Sequence, residues 1–127
     1  MENFAEVSWL AVIVGVVVSF LVGWLWYSPK LFGAKWAEGS GVSLDSADKM
    51  PAFAMLAQVA ALILLATVIG LTAAVNALIT AILAILAAAT FVLSNGSWSQ
   101  KSCYARLVDF FYVVLAGVIM IVCQGIF

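Results

Sequence analysis

The stretch Gly23-Trp24-Leu25-Trp26-Tyr27-Ser28-Pro29-Lys30-Leu31-Phe32-Gly33-Ala34-Lys35-Trp36 decides how the rest of the chain is read. Upstream of it, an uninterrupted apolar segment runs from Trp9 to Tyr27. A helix needs about 20 such residues to cross a bilayer. At Ser28-Pro29 the pattern breaks. Proline disfavours helical geometry in the residue before it, so the first helix is expected to end near Tyr27 or Ser28. The same pair suits a helix start, with Ser28 as N-cap and Pro29 in the first turn. In a second helix over residues 29–36, Leu31 and Lys35 are i,i+4 neighbours, as are Phe32 and Trp36. This reads as a short amphipathic helix on the membrane surface. Trp24, Trp26, Tyr27 and Trp36 then form an aromatic belt at one interface.

Working outward, composition settles the class. The chain has 127 residues, 67% hydrophobic and 9% charged, with mean hydropathy +1.24. Ordinary soluble domains are about 45–50% apolar and about 25% charged. The expected fold class is all-α integral membrane, with four transmembrane helices and an interfacial helix after the first. The whole chain, 1–127, forms one transmembrane domain, with helices about 8–27, 51–74, 77–93 and 107–127. A brief link near Asn76 makes the second and third an antiparallel hairpin. One continuous apolar helix of about 40 residues would overshoot the hydrocarbon core about twofold. Met1 to Glu6 is acidic and lacks the basic region of a signal peptide, so the first segment is expected to be retained.

The resemblance begins at the opening stretch. Gly23, Trp26 to Pro29, Leu31 to Gly33, and Lys35 with Trp36 reproduce a Gly-x-x-Trp-Tyr-Ser-Pro, Leu-Phe-Gly, Lys-x-Trp pattern. This resembles the signature of an uncharacterised bacterial membrane family, domain of unknown function 1761. The resemblance implies four membrane helices and no assigned activity.

Charge predicts orientation. Lys30, Lys35 and Lys49 lie between the first and second helices; Lys101 and Arg106 lie between the third and fourth. With four helices these two loops share one side. The positive-inside rule puts that side in the cytoplasm of an inner membrane and both termini outside. Net charge is -1, which gives no reason to expect a nucleic-acid partner. The loop between the first two helices contains Gly39-Ser40-Gly41, read as a flexible joint, and Ser43, read as a cap before Pro51 starts the second span. Asn95 to Gln100 reads as a turn with Trp98 at the interface.

Helix packing inside a bilayer relies on close backbone approach and interhelical hydrogen bonds. The first helix carries a stripe of Ser8, Ala11, Gly15, Ser19 and Gly23, opposite bulky Leu10, Val14, Val17, Leu21 and Trp24. The third carries Ala77, Ala81, Ala84 and Ala88. Bundle packing accounts for such stripes, and a subunit interface for at least one of them is the sharper expectation. The expected partners are the bilayer and either further copies of this chain or other membrane-protein subunits.

Residues able to carry chemistry are few. There is no histidine, which removes the commonest metal ligand and general base. Cys103 and Cys123 stand about 30 Å apart along a helix and cannot pair within one chain. No cofactor and no enzymatic activity is expected. The candidate polar site is Asp109, near the start of the fourth helix, with Arg106 one turn away and Gln58 in the second helix. A carboxylate at the bilayer centre costs about 2.5–3.5 kcal/mol on insertion scales. Pairing with Arg106 at the interface is the plain expectation for Asp109. Facing a cavity on a proton or cation path is the functional one, and bonding to Tyr27 or Trp24 is the third. The interior of the first helix, Ala11 to Trp24, holds no acid, which argues against an ion-coupled carrier. The leading expectation is a non-enzymatic structural or accessory subunit. The rival is a small oligomeric channel or carrier for a neutral or weakly charged solute.

Overall fold

The computed structural model describes residues 4–28, 30–41 and 52–127. Among them are one short 3-10 turn, Phe4–Glu6, and five α-helices. These are α1 Trp9–Trp26, α2 Gly33–Ser40, α3 Ala52–Ala74, α4 Leu78–Trp98 and α5 Cys103–Ile126. Four of them, all but α2, are long and apolar enough to cross a membrane.

Local chemistry explains the ends. Ser8 caps α1 by accepting the Ala11 amide, and Ser102 caps α5 by accepting the Ala105 amide. Asn76, at φ 55°, turns the chain between α3 and α4, so that hairpin forms where expected. Four boundaries differ from the sequence reading. The interfacial helix starts at Gly33, not near 29, with Phe32 as its N-cap and no side-chain cap bond. The Ser28 hydroxyl donates to the Leu25 carbonyl instead, and the Ser28 carbonyl accepts from Leu31 and Gly33 in a turn. Position 29 itself lies outside the described residues, as do Ser43 and Pro51. Gly39 and Ser40 complete α2 rather than loosening the chain, and Gly41 closes it in the left-handed conformation. Asn95 to Trp98 is helical, extending α4 past the expected end near 93, and the turn falls at Gln100, φ 59°. The fourth span begins at Cys103, not near 107, because Ser102 supplies a cap there.

The centre of the bundle is α5, which packs against α1, α2, α3 and α4. Of its spanning residues 39% are buried, against 17–22% in the other spans. The common core gathers Val12, Leu62, Ala66, Ile69, Ala81, Ile85, Ala116 and Met120. At Gly117 a Cβ would lie 2.5 Å from the Ile85 side chain, so glycine is what lets α4 come close. The outer faces carry exposed Leu, Ile, Val and Phe, the pattern of helices solvated by lipid.

The stripe on α1 faces the interior. Ala11, Gly15 and Ser19 are buried, and a Cβ at Gly15 would meet Met120 of α5 at 3.3 Å. Leu10, Val17, Leu21 and Trp24 are exposed. On α4 the buried line is Ala81, Ile85 and Ala89. Ala77, Ala84 and Ala88 are only half-buried, so that stripe is rotated from the expected one. Ile85 takes the inner position because Gly117 opens space for it.

Overpacking a fitted contact costs about 1–3 kcal/mol. Gly15→Leu and Ser19→Leu are therefore expected to lower the thermal midpoint of the detergent-solubilised bundle, followed by size-exclusion after heating. Val17→Leu, on the lipid face, leaves it unchanged.

Candidate polar site at one end of the bundle

The site is built where α1, α2 and the start of α5 meet. Gly33 is buried, and a Cβ there would clash with the Tyr27 carbonyl and the Ser28 backbone. Glycine at this position lets α2 lie directly against the end of α1. The corner then stacks. Phe32 packs on Trp26 with ring centroids 4.6 Å apart and reaches Tyr104 of α5 at 6.4 Å. The Trp26 indole donates to the Val108 carbonyl at 3.1 Å. The Lys35 ammonium lies 5.3 Å from the centre of the Tyr104 ring, a cation–π contact. At the far end of α2, the Ser102 amide donates to the Gly39 carbonyl at 3.0 Å. Leu31, 48% exposed, is left on the outside with Trp24.

Asp109 sits under this corner and is 7% exposed. Its Oδ1 accepts from the Tyr27 hydroxyl at 2.6 Å and from the Trp36 indole at 2.8 Å. Its Oδ2 accepts from the Lys101 ammonium at 2.8 Å, an ion pair. Lys101 in turn lies 5.3 Å from the centre of the Trp36 ring. Tyr27 stands edge-on to both Trp36 and Tyr112. The Tyr112 hydroxyl donates to the Ser19 carbonyl at 2.8 Å. Gly23 makes room for that ring, since a Cβ there would lie 2.7 Å from the Tyr112 hydroxyl. Burial raises the pKa of Tyr27 far above its ordinary value, and the Asp109 charge adds to the effect. Tyr27 therefore stays a neutral donor to the carboxylate.

The expected pairing of Asp109 with Arg106 is not what forms. Arg106 leans toward α4 and donates to the Ser97 hydroxyl at 3.0 Å, while Asp109 faces α1 and α2. The carboxylate lies two turns inside α5, because that helix starts earlier than expected. Trp24, considered as a partner, is 66% exposed and points away. Gln58 is exposed on α3 and is not among the partners of Asp109. So Tyr27 and Trp36 of the opening stretch join Asp109, while Arg106 and Gln58 stay apart from it.

Lys101 escaped the sequence reading because eight residues separate it from Asp109, beyond the reach of any helical neighbour. Only the turn through Gln100, closed by the Lys101 amide on the Gly96 carbonyl, brings it back. Tyr112 had a signal. It stands three residues after Asp109, on the face that continues through Ala116 and Met120.

Chemically, the arrangement is a charge that is fully engaged. An ionised carboxylate only accepts, and here three donors from three segments meet its two oxygens. Removing one partner of a buried ion pair costs about 3–5 kcal/mol, and less where a partner keeps water. The Lys101 side chain is 25% exposed, so the lower figure applies. Asp109→Asn puts an amide N–H against donors, and is expected to destabilise the bundle by roughly 2–3 kcal/mol. Lys101→Arg keeps the charge and is tolerated. Differential scanning fluorimetry on tryptophan emission measures both. Equal midpoints for wild type and Asp109→Asn would mean the network contributes nothing.

The family model described as Protein of unknown function (DUF1761) matches residues 10–125. No curated protein and no solved structure matches.

Proposed function

As the chain belongs to the DUF1761 family, whose function is unassigned, we propose its role from the bundle itself: a non-enzymatic, self-associating or accessory subunit of a membrane complex. It sits in the cell inner membrane as a multi-pass protein, with both termini outside.

The observation that carries this reading is the state of Asp109. A carrier or catalyst keeps its carboxylate open to water or substrate. Here the oxygens are taken by Tyr27, Trp36 and Lys101, and the residue is 7% exposed. The charge is used to fasten α2 onto α1 and α5. An open cavity of about 410 Å³ lies at the other end of the bundle, lined by Ile69, Thr72, Asn76, Ala81, Ile121 and Gln124. It has no charged lining and is remote from Asp109.

Self-association is supported by what the bundle leaves outside. The α1 stripe is consumed within the chain. On α3, however, Ala54, Ala57, Gln58 and Ala61 stand at i, i+3, i+4 and i+7, all exposed. Small residues with an amide among them are what transmembrane helices use to meet. Orientation is supported by Lys30, Lys35, Lys101 and Arg106, which all lie at the end where α1 and α4 finish and α2 and α5 begin. That end belongs in the cytoplasm.

Two measurements test the reading. Native mass in lipid nanodiscs is expected at a multiple of 13.5 kDa. Ala57→Leu with Ala61→Leu should shift it toward the single chain, and a wild-type protein that runs as one chain without partners would sink the proposal. For topology, an impermeant maleimide applied to sealed cells should miss Cys103 and label it after permeabilisation. Cys103 is exposed while Cys123 is buried, so Cys123 stays silent until unfolding.

A further inference from the structure

We infer that the lipid-facing side of α1 holds one anionic phospholipid, its phosphate on Lys30 and an acyl chain along Leu21, Trp24 and Leu25. Leu21, Trp24 and Leu25 follow at i, i+3 and i+4 on α1, and Ser28 continues their line in the turn just beyond the helix. Together with Lys30 they line an open cavity of about 470 Å³. The wall is apolar along the helix and polar only where the chain leaves it.

The groove faces away from the bundle. Leu21, Trp24 and Leu25 are 62%, 66% and 53% exposed. Among the described residues no helix covers them, and in a bilayer the occupant of such a face is lipid. Tryptophan sits at the headgroup level of a membrane, so Trp24 sets the depth at which a phosphate meets Lys30.

Charge selects the class of lipid. The other described cations at this end are engaged: Lys101 on Asp109, Lys35 over Tyr104, Arg106 on Ser97. Lys30 is exposed, and the ion pair among the described residues is Lys101 with Asp109. The Ser28 hydroxyl gives its hydrogen to the Leu25 carbonyl, which leaves the Lys30 ammonium as the charged donor in the groove, beside the neutral indole N–H of Trp24. An ammonium offers three hydrogens and no acceptor, the complement of a phosphodiester. A zwitterionic headgroup brings its own cation to compete with Lys30, and an anionic headgroup does not.

The test uses the purified full-length chain in detergent with equal amounts of phosphatidylglycerol and phosphatidylcholine of matched chains. Native mass spectrometry counts the retained lipid. The wild type is expected to retain one phosphatidylglycerol in preference. Lys30→Gln should lower that preference roughly fivefold, about the factor one basic residue contributes at an anionic surface. Lys30→Arg keeps the preference, and so does Lys35→Gln, whose cation lies over Tyr104 instead. Inorganic phosphate at millimolar concentration should not displace the lipid. The inference is overturned if the wild type shows no preference, if Lys30→Gln matches it, or if Lys35→Gln loses as much. The last outcome would mean a diffuse basic field, and displacement by phosphate would mean a simple anion site.

Discussion

A single carboxylate buried near a membrane interface constrains this protein more than any other group. An unpaired charge there is unfavourable by several kcal/mol, so Asp109 must be surrounded by donors wherever the chain folds. The donors come from three places: Tyr27 at the end of α1, Trp36 in α2 and Lys101 in the turn before α5. Satisfying one side chain therefore fixes the rotation of α1, the position of α2 and the path of the turn. The aromatic rings around it then exclude water, which strengthens the same bonds.

The opening stretch, Gly23 to Trp36, acquires a mechanical reading from this arrangement. Gly23 admits the Tyr112 ring, Trp26 and Phe32 stack, and Gly33 allows backbone contact. Lys35 covers Tyr104, and Tyr27 and Trp36 hold the carboxylate. The pattern and Asp109 are two halves of one clasp. The clasp lies wholly within the chain, and that is why it supports a scaffold more than a path for a solute. Elsewhere the bundle follows ordinary membrane physics: glycine and alanine where helices meet, bulky residues where lipid does.

Much of this was legible in the residues because one-dimensional patterns carry it. Four spans, the hairpin at Asn76, the amphipathic segment after the first span and the inward face of α1 follow from hydropathy length and 3.6-residue spacing. These are local or nearly local facts, set by what a bilayer tolerates. The sequence also marked Asp109 and the Trp-Tyr-Ser-Pro corner as the places to look.

Tertiary structure decided which groups meet. Tyr27 and Asp109 are 82 residues apart in the chain, and Trp36 and Asp109 are 73 apart. No periodicity relates such positions. Arg106, one turn from Asp109, was the natural partner on spacing alone, yet it bonds Ser97 because α4 continues to Trp98 and presents that hydroxyl. Lys101 reaches the carboxylate through a turn whose left-handed Gln100 hydropathy does not reveal. Composition and periodicity determined that the chain has four spans and which face of α1 turns inward. The meeting of α1, α2 and α5 determined the partners of its buried charge, because desolvation is satisfied by whatever donors the fold brings within about 3 Å.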